Sequence, residues 1–252
     1  MSVDNSRRQS NRERLAARRA AEAAARARAE RNRRTIRGAL AGGVVVLLAL
    51  VAVILVQSHR TSTSATAATP PNLTDGVFVV GSASAPVTLD LYEDFQCPNC
   101  KAFEAETGST IAQLVAAGTV QAHYHGMAFL DTSANDKYST RALNAAAVVF
   151  GAGGPTAFQA FHDLLFSNQP AEGGSGLTDD QLVQYATQAG ATGTSVKQAI
   201  TSLKYGDWVK TATDQASKDG VTGTPTVFVN GTKLADTSVA GLTAAVSSAS
   251  AG

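Results

Sequence analysis

The sequence predicts an α/β domain in which a helical block interrupts a mixed sheet, carried behind a single membrane-spanning helix. Three observations lead there. Residues 38–56 form an unbroken apolar run, "GALAGGVVVLLALVAVILV", of 19 residues. Charge is divided around it: residues 1–37 hold twelve Arg and four acids, a balance of +8, whereas the whole chain carries +1, which leaves −7 for the rest. Such a split implies two regions in different surroundings. Beyond residue 72, stretches rich in β-branched residues and helical stretches follow in the order strand, strand, helix, strand, several helices, hairpin, helix.

Residues 1–37 are rich in Ala and Arg and lack an apolar stripe, so they read as a solvated basic tail near a membrane surface. The charge alone would suit nucleic acid, but no recognition fold or interleaved aromatics accompany it, so no nucleic-acid binding is expected. As a helix, residues 38–56 span ~28 Å, close to the ~30 Å of a bilayer's hydrocarbon core. Arg33, Arg34 and Arg37 directly before it place the N-terminus in the cytoplasm and the following domain outside. The alternative, a cleaved signal peptide with a site in "SATAA" (64–68), fits less well, because signal cores run about 7–15 residues. Residues 57–71, rich in Ser, Thr and Ala and ending in Pro-Pro, read as a tether of ~50 Å reach. The folded domain is expected over 72–252.

Within it, "GVFVVG" (76–81) and "APVTLDLY" (85–92) read as strands bounded by Gly and Pro. Pro98 and Cys100 open a helix running through "KAFEAETGSTIAQLVAAG", since Pro is comfortable in a first helical turn. "TVQAHYHGMAFL" follows as a strand. The helical insertion covers about 132–218 in four pieces: "STRALNAAAVVFGAG", "PTAFQAFHDLLFSN", "TDDQLVQYATQAG" and "SVKQAITSLKYGDWVKTATDQASKDG". "TPTVFVNGTKLAD" (224–236) reads as a hairpin around Asn230-Gly231. "SVAGLTAAVSSAS" closes the domain as a short helix.

Cys97 and Cys100 are the only cysteines in the chain. A tetrahedral metal site needs three or four ligands, and one CxxC supplies two. Of the four histidines, His59 lies in the tether and His162 in the insertion. His123 and His125 share a strand face, but read as ordinary strand residues, so no metal site is expected. A bridge across two intervening residues closes almost no loop, which argues against a structural staple. A redox pair needs this spacing: Cys97, exposed at a helix N-terminus, meets backbone N–H groups that favour its thiolate, and Cys100 sits one turn inward to resolve a mixed disulfide.

The segments "GSASAPVTLDLYEDFQCPNC" with "KAFE", "PTAFQAFHDLLF" and "GVTGTPTVFVNG" resemble the DsbA-like branch of the thioredoxin-fold thiol–disulfide oxidoreductases, exported and membrane-anchored in type. The resemblance implies a thioredoxin fold with an inserted helical subdomain, Cys97 as nucleophile and Cys100 as resolving thiol. It also implies a cis Pro225, and substrate contacts at Pro98, Asn99, Thr224 and Pro225. No cofactor beyond the Cys97–Cys100 disulfide is implied. The expected partners are exported proteins with thiols or disulfides and a quinone-linked membrane protein, DsbB-like or like vitamin K epoxide reductase, that reoxidises the pair. A monomer is expected, because no dimerisation segment is visible. The family often places an acid six residues before the nucleophile, where this chain has Leu91. Asp90 and Glu93 are read as pointing to the opposite face, which leaves water, Asp94, Glu93 or a strand bulge to carry the proton; Asp94 is read equally as a turn residue. Location outside the membrane favours a disulfide donor. A reductase or isomerase, a thiol chaperone for Cu(I), and an anchored binding module with idle thiols are the alternatives.

Overall fold

In the computed structural model of the protein, residues 68–251 are described. The basic tail, the apolar run at 38–56 and the tether up to residue 67 lie outside them. Among the described residues no helix is long and apolar enough to cross a membrane. Pro70 is already buried.

Strand alternation builds the centre. β1 (Phe78–Val80), β2 (Val87–Glu93), β3 (Val120–Gly126), β4 (Thr226–Val229) and β5 (Thr232–Lys233) form one sheet in the order β1-β3-β2-β4-β5. β2 and β3 are parallel and the other pairs antiparallel. A parallel pair needs a crossover, and α1 (Pro98–Ala116) provides it. Along β2 every second residue, Val87, Leu89, Leu91 and Glu93, is buried, while Thr88, Asp90 and Tyr92 are half-buried on the other face. This corrects the sequence reading of Glu93. Two residues from Leu91, it shares Leu91's face, and only Asp90 points the other way.

β3 stops at Gly126, short of the expected Leu130. The Met127 N–H bonds the Glu93 carbonyl at 2.7 Å. Beyond it, Ala128 N–H goes to Thr213 Oγ1 and Leu130 N–H to Asp94 Oδ2, so side chains and not a strand neighbour take the backbone. Asn230-Gly231 turns the β4–β5 hairpin with both residues at positive φ. Asn230 Oδ1 also accepts from Thr88 N–H at 2.8 Å, tying the turn to β2.

The insertion comprises α2 (Tyr138–Ser167), α3 (Asp179–Gln188), α4 (Thr194–Thr201) and α5 (Gly206–Lys218). α2 is two arms: the backbone leaves helical values at Gly154 (φ 69°, ψ −163°) before Pro155, which cannot donate to the preceding turn. α3 begins in a reciprocal cap between Thr178 and Gln181. The segment read from sequence as one helix over 195–220 is two. Asn144, fully buried on α2, donates to Ala199 O and Ile200 O and accepts from Tyr205 N–H at 2.8 Å, closing one helix and starting the next. We expect Asn144→Leu to destabilise the domain by about 3 kcal/mol in chemical denaturation, because three buried backbone groups lose their partner at once. α6 (Val239–Ser250), capped by Ser238, packs on α1, β2 and β4.

Candidate active site

Cys97 caps α1 with an extended backbone, and Pro98 and Asn99 are the first two residues of the helix. Its N–H bonds the Asp94 carbonyl at 2.9 Å, so a tight turn carries the chain from β2 into α1. Across from it, the Thr224–Pro225 peptide bond is cis and leads into β4, and Cys97 Sγ donates to the Thr224 carbonyl at 3.3 Å. Cys97, Cys100, Thr224 and Pro225 thus converge, with Pro98 and Asn99 exposed on the rim.

Cys97 was expected to be exposed and is recessed, at 7 % of its accessible surface. The Thr224–Pro225 loop lies over one side and the loop after α2 over another, with Gln169 Nε2 donating to the Cys97 carbonyl at 2.9 Å. Its neighbours Pro98 and Asn99 are exposed. Cys100 is fully buried beneath it, and both thiols are free.

The two sulfurs are poised in opposite senses. The Cys97 thiol is lowered from 9.0 to about 5. The largest cause is a hydrogen bond from Cys100; burial opposes it, and the Thr224 side chain and the backbone N–H groups of Cys100 and Asn99 add to it. Those N–H groups belong to the first turn of α1, where they have no intrahelical partner. Cys100 is pushed far above the ordinary thiol range by burial, by its bond to Cys97 and by the negative charge of Glu93. At neutral pH these shifts favour the anion at the outer sulfur, in place of the thiol that bonds the Thr224 carbonyl, and the thiol at the inner one.

Asp94 behaves as the turn residue. Its Oδ1 accepts from Gln96 N–H and the Ser139 hydroxyl, and its Oδ2 from Leu130 N–H. Burial outweighs these bonds and raises its carboxyl to about 6. Glu93 is the acid facing the cysteines' interior side. His162 Nε2 lies 2.9 Å from Glu93 Oε2, inside a cage of Phe95, Tyr124, Phe158 and Phe166. Burial alone would lower the His162 pKa. The carboxylates of Asp163 and Glu93, together with the field of Glu104, carry it up to about 10 instead. Glu104, one helical turn past Cys100 on α1, is raised to about 8 by burial and by Glu93.

Several residues of this site were not singled out from the sequence. Gln96 is fully buried and holds the loop after α2, donating to Ala171 O and Gly174 O and accepting from Asn135 Nδ2 at 2.6 Å. Glu104 and His162 likewise went unassigned. The only available signal was a carboxylate at the even spacing of a buried strand face. His123 and His125 do share a face, as expected, where Asp90 Oδ1 lies 3.5 and 3.0 Å from their rings. That face is the one away from Glu93.

The family described as Thioredoxin matches residues 73–248. The solved structure of oxidised DsbA from Mycobacterium tuberculosis is similar at 34 % identity and a TM-score of 0.62, covering 70 % of this chain and 93 % of that one. The serine/threonine-protein kinase PknE of M. tuberculosis is 36 % identical over 167 residues, 62 % of this chain, but the chain spans only 29 % of that kinase's length. Disulfide bond formation protein D of Bacillus subtilis is 27 % identical over 154 residues, covering 60 % of this chain and 67 % of that protein. With that coverage and the cysteine pair at the head of α1, the chain belongs to the thioredoxin family, among the DsbA-like thiol–disulfide oxidoreductases.

Proposed function

We propose that the chain is a membrane-anchored oxidase that donates its Cys97–Cys100 disulfide to exported proteins. The observation that carries this reading is the split between the sulfurs: a Cys97 thiol lowered to about 5 over a Cys100 held as a thiol. A stabilised thiolate favours the reduced pair and so makes the disulfide a better oxidant.

In the oxidised enzyme a substrate thiolate attacks Cys97 Sγ. The Cys97–Cys100 bond breaks, and Cys100 leaves with the electron pair and takes up a proton. A second substrate thiolate then attacks the substrate sulfur of the mixed disulfide and expels Cys97 as a thiolate. The substrate loses two electrons and the cysteine pair gains them. Cys97 is the good leaving group because its thiolate is the stable form. Glu93, whose carboxylate acts on Cys100 in the reduced pair, takes the Cys100 proton on reoxidation and, so protonated, returns it here, the work expected of an acid at Leu91. Thr224 and Pro225 offer backbone beside Cys97 for an extended substrate segment, and Pro98 and Asn99 border its approach.

Residues 38–56 anchor the domain outside the membrane, with residues 1–37 in the cytoplasm, and the protein acts as a monomer. A quinone-linked membrane partner reoxidises Cys97 and Cys100. The test is the reduction potential of the pair in the full-length chain, equilibrated against glutathione. The expected value lies well above that of thioredoxin, ~−270 mV, toward the ~−120 mV of a strong oxidant. A value at or below thioredoxin's reverses the electron flow and makes the protein a reductase.

A further inference from the structure

The buried carboxyls behind the cysteines amount to more than one proton acceptor requires. Glu93 enters the core from β2, Glu104 from α1 and His162 from the second arm of α2. One ligand atom from each lies within 4.8 Å of the other two. His162 Nε2 and Glu93 Oε2 are 2.9 Å apart, close to the ligand-to-ligand edge of about 3 Å set by six-fold coordination with bonds of ~2.1 Å. Glu93 is 5 % exposed, yet its Oε1 has no hydrogen-bond partner among the described residues. Glu104 Oε1 is sealed and unpartnered in the same way. With no other donor in reach among the described residues, the two carboxyls are held by a proton shared between Glu104 and Glu93, and one cation in place of that proton satisfies both oxygens at once.

The surroundings fit the same occupant. On the far side of the ring, Asp163 Oδ1 stands 3.6 Å from His162 Nδ1, where carboxylates commonly orient a metal-bound imidazole. An incoming ion displaces the protons of His162 and Glu104; the two carboxylates and neutral imidazole left behind carry −2, which a divalent ion cancels. Glu104 and His162 also line a cleft of about 480 Å³ with Lys101, Gln159 and Asp163, giving the ion an entry path and room for water ligands.

We propose that Glu93, Glu104 and His162 form a binding site for one divalent first-row transition ion of the Zn²⁺ or Mn²⁺ kind. The imidazole nitrogen selects these over Ca²⁺ and Mg²⁺, which prefer all-oxygen sites. A bound ion occupies Glu93 and so withholds the carboxylate that serves Cys100. That consequence rests on the oxidase reading above; the binding does not.

The full-length chain tests this in its oxidised form, where the disulfide keeps both sulfurs from holding metal. After stripping with a chelator, it is titrated calorimetrically with Zn²⁺ and, separately, with Mn²⁺. One equivalent is expected to bind. Glu104→Gln, isosteric at a half-exposed position, should weaken binding at least about tenfold, and the metal should no longer raise the variant's unfolding temperature. A His123→Ala/His125→Ala variant, which removes the other imidazole pair, should bind as the wild type does. The proposal is overturned if neither ion binds, if Glu104→Gln binds unchanged, or if binding disappears with His123 and His125 instead. Single turnover of a dithiol peptide with Mn²⁺, which thiols hold weakly, separates the two readings. Slowed release of Cys100 supports both, whereas binding without slowing keeps the metal site and removes Glu93 from the proton transfer.

Discussion

Cys97→Ser is expected to abolish disulfide exchange, with a loss of at least about a thousandfold, since Cys100, the one other cysteine of the sequence, is fully buried. The stronger test lies in the wild type. Alkylation of Cys97 in the reduced protein should stay fast down to a pH of about 6 and fall with a midpoint near 5, whereas an ordinary thiol fades near 9. A thiol lowered in the folded state adds stability that is fully present above its unfolded value near 9. That stability is lost as pH falls through about 5. The reduced protein's advantage in thermal unfolding over the oxidised one should therefore shrink on acidification across that window. Because the largest cause is the hydrogen bond from Cys100, Cys100→Ala should move the midpoint upward by about one unit or more, while Cys100→Ser, which keeps a donor, should move it less. A midpoint that stays near 5 in Cys100→Ala would assign the shift to the helix N-terminus alone.

Glu93→Gln should leave the expulsion of Cys97 by the second substrate thiolate intact and slow every step in which Cys100 gains or loses a proton, by about a hundredfold. Gln keeps a hydrogen bond to His162 and removes the charge, so it isolates the proton from the packing. Glu93→Leu is the poorer probe, because it leaves a buried cationic His162 without its partner at a cost of about 3 kcal/mol. Removing the Glu93 charge also eases ionisation of Cys100, whose thiol that charge now holds up. The deficit of Glu93→Gln should therefore narrow as pH rises. Stopped-flow release of a preformed mixed disulfide, followed against pH, reads this directly. A deficit that does not change with pH would mean that Glu93 acts through packing alone.

The parts of the fold legible in the sequence are those set by neighbours along the chain. β-Branched and aromatic residues bounded by Gly and Pro announced β2, Asn230-Gly231 announced the hairpin, and Pro98 after Cys97 announced the start of α1. The same local reasoning failed where a distant side chain intervened. Nothing in "SVKQAITSLKYGDWVKTATDQ" says that a turn falls at residues 202–205, because the group that caps it, Asn144, arrives from α2. Glu93 was placed on the wrong face although its spacing from Leu91 was available. A carboxylate on a core face becomes credible only once its partners are known, and His162 lies 69 residues away.

By itself the sequence determined the chemistry's raw material: two thiols one helical turn apart, an N-terminal turn to hold the first of them, and the proline-led strand that resembles the family's. Only the tertiary structure decided how that material is poised. It buried Cys100, recessed Cys97 under the Thr224–Pro225 loop, and gathered Glu93, Glu104 and His162 into one cluster behind them. The reason is that dihedral preferences and side-chain periodicities act over a few residues, whereas the desolvation and fields that set a thiol's ionisation depend on groups brought together from across the chain.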